Sequence, residues 1–220
     1  MNLISLTGVS ISFNKRTILE NVNFKIGNYP VVSISGKSGS GKTSLLTVIS
    51  GLLKPDSGKV LYKDKNIYSW TDLRRSAYRN KKIGFVYQSF NLLPDFTVYQ
   101  NITYPAIINT SSERINEHGD YLLEYLDIDS IKGRYPSEIS GGEKQRTAIA
   151  RAMINMPEII LADEPTGNLD TSTAKSIFLL FKEIQRKYNV IFLIATHDRN
   201  IIRKSDVHFA IKDGRIIKEK

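Results

Sequence analysis

A parallel α/β core, with antiparallel strands ahead of it and a helical insertion in its middle, is the fold class this sequence predicts. Three observations carry that expectation. First, Gly36-Lys37-Ser38-Gly39-Ser40-Gly41-Lys42-Thr43 stands between the apolar run Val31–Ser35 and the helix-like Ser44-Leu45-Leu46-Thr47-Val48-Ile49. Two spaced glycines followed by Lys and Ser/Thr make a phosphate-binding loop when a strand precedes them and a helix follows. Second, the runs at 158–162 and 190–195 are almost wholly apolar, as strands buried on both faces must be. Third, about 70 residues with a helical pattern, roughly 89–156, lie between the loop and those strands.

Taken in order, residues 3–13 and 18–26 alternate in character and read as two strands joined by the polar turn Asn14-Lys15-Arg16. Strand 31–35, the loop and a helix to about Ser50 follow. Gly51–Gly58 is turn chemistry, and Lys59–Tyr62 is a short strand. Ile83–Tyr87 is an apolar strand ending at Gln88. Within the helical stretch, Thr110 with Glu113 forms a candidate capping box ahead of Ile115. A helix is expected over 171–188, between the two buried strands, and Asp213-Gly214 signals a terminal hairpin. Repeats, linkers and low-complexity segments are not expected anywhere.

Composition sets outer limits. A length of 220 residues, 41% hydrophobic and 24% charged, suits one large globular domain or two small ones. No apolar run reaches the length of a membrane span, and the N-terminus has no basic start or apolar stretch typical of a secretory signal. With no cysteine, disulfides, thiolate metal sites and a cysteine nucleophile are all excluded. The net charge of +9 points to an anionic partner, nucleic acid or a membrane face, or else to a solvated lysine-rich surface. Part of the excess sits in 63–82, where aromatic residues are not expected to interleave with the cations in an RNA-binding pattern, so nucleic acid is not favoured.

The chemistry concentrates at strand ends. Backbone N–H groups of the loop and the positive end of the following helix converge on phosphate oxygens. Lys42 would reach the β- and γ-phosphates, and the Thr43 hydroxyl would bind Mg²⁺. The strand Ile159–Ala162 runs into Asp163 and Glu164, two carboxylates at the carboxyl edge of a sheet, where ligands bind. Asp163 would hold Mg²⁺, directly or through water, and Glu164 would orient or deprotonate an attacking water. Ser140-Gly141-Gly142, opening an apolar helix, is an anion site or an ordinary N-cap. His197 follows an apolar strand, as a γ-phosphate contact or a structural histidine. Gln88, also at a strand end, would ligate Mg²⁺ or hold the water.

Together these residues resemble the ATP-binding subunits of ABC transporters over essentially the whole chain. Ser140-Gly141-Gly142-Glu143 before Gln145-Arg146 is similar to that family's signature sequence, with Glu143 in place of the commonest glutamine and Ile139 in place of the usual leucine. The resemblance implies a P-loop NTPase: a RecA-like parallel core with an N-terminal antiparallel β subdomain and an inserted helical subdomain. It implies one ATPase domain over 1–220, with the β subdomain and nucleotide-binding core at 1–88 and 158–220 and the helical subdomain at 89–157. ATP and Mg²⁺ are the implied ligands. Gly36, Lys37, Ser38, Gly39, Ser40, Gly41, Lys42, Thr43 and Ser44 would bind nucleotide, with Phe13 stacked on adenine unless it is a core residue at a strand end. Thr43, Gln88 and Asp163 would serve the metal; Glu164, His197, Lys42 and Gln88 would serve catalysis. Ser140, Gly141, Gly142 and Glu143, and Asp170 in the Asn168-Leu169-Asp170 segment that resembles the D-loop, would act across a head-to-tail dimer of two such subunits.

Ile83–Gln88 with Asn91-Leu92-Leu93-Pro94, and Ala162–Asp170, resemble in particular the ATPases of lipoprotein-release, macrolide-export and antimicrobial-peptide-resistance systems. That implies an ATP hydrolase on the cytoplasmic face of the membrane. It would form a homodimer or pair with a related subunit, and drive an integral-membrane permease by mechanotransmission. The segment after Gln88, with Leu92, Leu93, Phe96 and Tyr99, would dock the permease unless these residues only pack the helical subdomain. The short Asn28-Tyr29-Pro30 lead-in departs from the family pattern, and no regulatory C-terminal domain is expected. A soluble ABC-type ATPase acting on nucleic acid or ribosomes fits less well: the two phosphate motifs are not separated by a long coiled coil, and the chain carries one cassette. No nucleic acid is therefore expected. A cell-division-type scaffold ATPase is the other alternative.

Overall fold

A computed structural model describes residues 2–27, 29–107 and 112–220, with the side chains of 112–114 left out. In chain order the elements are β1 (Ile4–Phe13), β2 (Arg16–Ile26), β3 (Val31–Ser35), α1 (Lys42–Ile49), β4 (Ser57–Tyr62), β5 (Lys65–Asn66), α2 (Asp72–Lys82), β6 (Ile83–Val86), α3 (Val98–Ile107), α4 (Ser112–Tyr125), α5 (Gly141–Met153), β7 (Ile159–Asp163), α6 (Thr171–Tyr188), β8 (Ile191–Ala195), α7 (Arg199–Lys204), β9 (Val207–Lys212) and β10 (Arg215–Lys218). The chain divides into two compact units, 1–79 with 191–220, and 80–190.

The first unit holds two sheets. One is antiparallel, with β1 between β2 and β4, and β5 beyond β4. In the other, β3 is flanked on both sides by parallel strands, β8 and β9, and β10 returns antiparallel along β9. Flanked on both sides, β3 buries Val31, Val32, Ser33 and Ile34. Each apolar side chain so buried contributes about 1.5–3 kcal/mol. The β1–β2 turn is two residues, Asn14 and Lys15, both at positive φ, so Arg16 already pairs with Phe13 as the first residue of β2. The expected three-residue turn is shorter because two positive-φ residues match the twist of the hairpin.

The second unit has β6 and β7 parallel, in register from Ile83–Ile159 to Val86–Ala162. A Cβ at Gly84 would come within 2.6 Å of the Ala152 carbonyl, so α5 lies tight on β6. Helices α3, α4 and α5 pack on one another through Val98, Ile102, Leu122, Leu123, Ile149 and Met153.

The observed elements differ from the expected ones in places. The helical pattern begins at Val98, and 89–97 is loop. Helices α2 and α7 had no sequence signal. Aromatic residues do interleave with the cations of 63–82: the Arg74 guanidinium lies 4.6 Å from the Trp70 ring centroid and Arg75 5.6 Å from that of Tyr68. They pack inward as well, since the Tyr78 hydroxyl donates to the Ile49 carbonyl (3.1 Å) and that of Tyr68 to Val48 (2.8 Å). The expected capping box of Thr110 and Glu113, and Asn28 of the lead-in segment, lie outside the described residues and side chains.

Gly58 shows how closely β4 crosses β1. Its φ is +87°, and a Cβ there would overlap the Gly8 carbonyl. Gly58→Ala is therefore expected to lower unfolding stability by about 2 kcal/mol or more. Gly133→Ala, where a Cβ meets open space, should stay within about 0.5 kcal/mol. Urea midpoints of the two variants test this directly.

Candidate functional site

The first unit carries the phosphate loop. β3 ends at Ser35, residues 36–41 turn, and α1 starts at Lys42. Two glycines make the turn possible. At Gly36 a Cβ would collide with Ser40 Oγ and stand 3.0 Å from the Ile211 carbonyl of β9. At Gly41, with φ +102°, it would lie 2.8 Å from Leu19 of β2. Lys37, Ser38, Gly39 and Thr43 are exposed, while Ser40, Lys42 and Ser44 are half-buried. The Lys42 ammonium donates to the carbonyls of Gly36 (2.9 Å) and Lys37 (3.4 Å), spanning its own loop. No side chain caps α1, and its first turn holds no acidic residue. Ser40 Oγ is buried without a hydrogen-bond partner. An uncapped helix start, glycines that admit no Cβ and an orphaned buried hydroxyl together fit a bound phosphate chain.

Beside the loop opens a cleft of about 650 Å³ lined by Arg16, Ile18, Lys37, Ser38, Lys212 and Gly214, among others. Three of the eleven lining residues are cationic against one carboxylate, Asp213, a net positive lining that suits a polyphosphate. Phe13, at the β1–β2 turn of the same unit, is 47% exposed. It is not a core residue. His197 is exposed, two residues beyond β8. The Thr196 N–H donates to the Ile34 carbonyl (2.9 Å), which holds this strand end at the edge of β3 where the loop starts.

The second unit carries the remaining predicted residues. Asp163 closes β7 half-buried. Glu164 follows in the left-handed region, φ +44°, a conformation that costs a non-glycine residue about 1–3 kcal/mol and gathers at functional sites. Gln88, just past β6, is exposed, and its carbonyl accepts from Asn168 Nδ2 (2.9 Å). Asp170 caps α6, accepting from the N–H groups of Ser172 (2.9 Å) and Thr173 (3.0 Å) and from both their hydroxyls. The Ser172 and Thr173 bonds hold its carboxyl well below the usual carboxylate range.

Ser140 is the N-cap of α5 in a reciprocal capping box. Its Oγ accepts from the Glu143 N–H (3.3 Å), and a Glu143 carboxylate oxygen accepts from both the Ser140 N–H and its hydroxyl (2.7 Å each). Those bonds to Ser140 lower the Glu143 carboxyl pKa. The two readings of Ser140 are thus not exclusive: it is an N-cap whose hydroxyl proton is at present spent on Glu143. Cβ atoms placed on Gly141 and Gly142 would stand 3.5 Å from Leu169 and 3.1 Å from Thr173, so the signature-like turn and the segment around Asp170 touch.

Two residues that position this unit escaped sequence reasoning. Arg151 of α5 donates to the carbonyls of Phe90 (2.7 Å) and Asn91 (2.5 Å), both at positive φ, gripping the loop after Gln88. Buried Asn101 accepts from the Leu93 N–H (2.8 Å) and donates to the carbonyls of Leu93 and Phe96. A cation inside the apolar run 148–153 was the one available signal for Arg151. Of the residues expected to be exposed in this segment, only Leu93 is; Leu92, Phe96 and Tyr99 are half-buried. Tyr99 is engaged, its hydroxyl on Asn116 and Lys132 over its ring. Tyr104 and Ile107 of α3 are exposed instead.

Comparison with known proteins places this geometry. The family model described as "ABC transporter" matches residues 19–167. The lipoprotein-releasing system ATP-binding protein LolD of Buchnera aphidicola is 42% identical over 201 residues, covering 91% of this chain and 88% of that protein. LolD of Bacteroides thetaiotaomicron is 39% identical over 218 residues, 99% of this chain and 100% of its own. Among solved structures, the ATP-binding cassette MJ0796, a dimer in a post-hydrolysis state bound to ADP and Pi, superposes with TM-score 0.89 at 34% identity, over 99% of this chain and 98% of that one. With a phosphate loop of this geometry and likeness of this extent, the chain belongs to the ABC transporter family, as one of its ATP-binding, ATP-hydrolysing subunits.

Proposed function

We propose that this subunit drives a membrane-embedded permease of the mechanotransmission type, in a system that acts on lipoproteins as those of its LolD relatives do. The observation that carries the nucleotide part is the loop itself: Gly36 and Gly41 where no Cβ fits, an uncapped α1 and the orphaned Ser40 Oγ. The triphosphate lies along residues 36–44, with adenine on the exposed Phe13 ring. Lys42 exchanges the Gly36 and Lys37 carbonyls for phosphate oxygens. His197 meets the γ-phosphate.

Thr43, Gln88 and Asp163 offer hydroxyl, amide and carboxylate oxygens, the hard donors that Mg²⁺ prefers, and a bound Mg²⁺ would neutralise charge on the β- and γ-phosphates. Glu164 polarises the water that attacks the γ-phosphorus in line; the P–O bond to the β-phosphate breaks, and ADP carries away the charge.

The signature-like residues act across a dimer. Ser140 turns its hydroxyl from Glu143 to the partner's γ-phosphate, while the Glu143 carboxylate keeps its bond to the Ser140 N–H and so preserves the cap. Gly141 and Gly142 present their N–H groups to the same oxygens, and Asp170 fixes the neighbouring turn. The helical subdomain, 89–157, meets the permease through Leu93, Tyr104 and Ile107, on the cytoplasmic face of the membrane. No helix among the described residues is long and apolar enough to cross it.

Glu164→Gln should cut steady-state phosphate release by 100-fold or more and leave an ATP-bound dimer on gel filtration; turnover at the wild-type rate would remove Glu164 from its role. Lys42→Ala should weaken ATP binding about tenfold or more, and unchanged affinity by titration calorimetry would contradict its phosphate contact. Tagged Glu164→Gln protein, purified from its host's membranes with ATP, should bring down a multi-span protein with a large extracytoplasmic domain. Recovery of ribosomes or DNA without such a protein would refute the transport reading.

A further inference from the structure

Beneath the phosphate loop lies a buried polar chain that the proposed chemistry does not use. His208 of β9 is 5% exposed and stands opposite Ser33 of β3. Its ring bridges two hydroxyls on one face of β3: Nδ1 is 2.9 Å from Ser33 Oγ and Nε2 is 3.1 Å from Ser35 Oγ. Ser33 Oγ is in turn 2.6 Å from Ser205 Oγ, whose own proton goes to the Ile202 carbonyl (2.6 Å).

Counting protons fixes every direction. Ser205 has spent its hydrogen on Ile202, so Ser33 must donate to Ser205. Ser33 then accepts from Nδ1–H. A neutral imidazole protonated at Nδ1 has a bare Nε2, which accepts from the Ser35 hydroxyl. Four protons serve four contacts with none left over. An imidazolium adds a fifth: Nε2–H then points at Ser35 Oγ or at Glu219 Oε2 (3.4 Å), and the Ser35 proton loses its acceptor.

Ser35 is the last residue of β3. It pairs with Ala210 of β9, and Gly36 comes next, hard against the Ile211 carbonyl and accepting Lys42 Nζ. We propose that His208 is a positioning residue for nucleotide binding: in its neutral form it clamps the end of β3 onto β9 and so sets the entry to the phosphate loop. The inference rests on the nucleotide-binding reading above. It makes ATP affinity depend on the hydrogen bonds that the ring exchanges with the Ser33 and Ser35 hydroxyls.

The charged groups around the ring favour no simpler account. Glu219 faces Nε2 and is itself paired with Lys212 (2.8 Å). Lys220 Nζ sits on the Arg203 and Ser205 carbonyls, Asp206 accepts from the Val31 N–H, and β3 brings no charge. On β10, Arg215 pairs with Glu20 and Lys218 lies near Tyr29; on α7 the cations Arg199, Arg203 and Lys204 are exposed.

The test measures affinity for a fluorescent ATP analogue in wild type, His208→Leu, His208→Gln and Ser35→Ala, with melting temperatures alongside. His208→Leu and Ser35→Ala should each bind about three- to tenfold more weakly than wild type, and His208→Gln, whose amide can donate to Ser33 and accept from Ser35, should recover most of that loss. Ser35→Ala keeps the test open should His208→Leu fail to fold. Wild-type affinity in Ser35→Ala, or a loss in His208→Leu that His208→Gln does not recover, is compatible only with a structural role and overturns the inference. Wild type that binds no nucleotide overturns the nucleotide reading itself, and the inference with it.

Discussion

The close approach of three backbones at the end of β3 is the constraint on which the rest of this protein depends. The chain must leave a fully buried strand, reverse and enter a helix in six residues, with β9 on one side and β2 on the other. Space for this exists only where Cβ atoms are missing: Gly36 lies against the Ile211 carbonyl and Gly41 against Ile18 and Leu19. A helix entered that way has no residue placed to cap it, so its first N–H groups stay available. The proposed anion site is thus a by-product of the packing geometry. The Lys42 ammonium at its edge donates to two loop carbonyls.

In the second unit the same economy applies to a polar frame. Asp170, Ser140 and Glu143 satisfy the helix N-termini of α6 and α5. Capping binds these segments to helices whose apolar faces are buried, which gives a loop the rigidity of a core. The Gln88 loop is held differently. Arg151 fills two carbonyl sites that no regular structure satisfies, and Asn101 does the same for Leu93 and Phe96. A movement of α5 would therefore reach the loop after Gln88 through hydrogen bonds alone. That is a short physical link between the signature-like helix and the segment after Gln88.

Much of this was legible because it rests on local chemistry. A phosphate loop needs glycine at fixed places, a buried parallel strand needs an unbroken apolar run, and a capping box needs Ser and Glu three residues apart; each is a constraint on neighbouring residues. The elements that were not legible have no such local rule. Helix α2 buries only Tyr78 and is mostly polar; it stands because the Tyr68 and Tyr78 hydroxyls donate to the Val48 and Ile49 carbonyls at the end of α1, with Trp70 packed on Tyr78. Helix α7 is six residues long, too short for a periodicity, and is set by the Asp198 cap.

What the sequence by itself determined is the order of strands, the loop and its lysine, the two carboxylates at the end of β7 and the helix that follows Ser140. These follow from spacing along the chain. The tertiary structure alone decided which side chains face one another across that chain: that Phe13 stands exposed, that Tyr99 is engaged while Tyr104 and Ile107 are exposed, that Arg151 reaches back 60 residues to Asn91, and that His208 meets Ser33 and Ser35 from a strand more than 170 residues away. Hydrogen-bond partners at such separations are fixed by strand pairing and helix packing, and strand pairing between distant segments leaves no signature within either one.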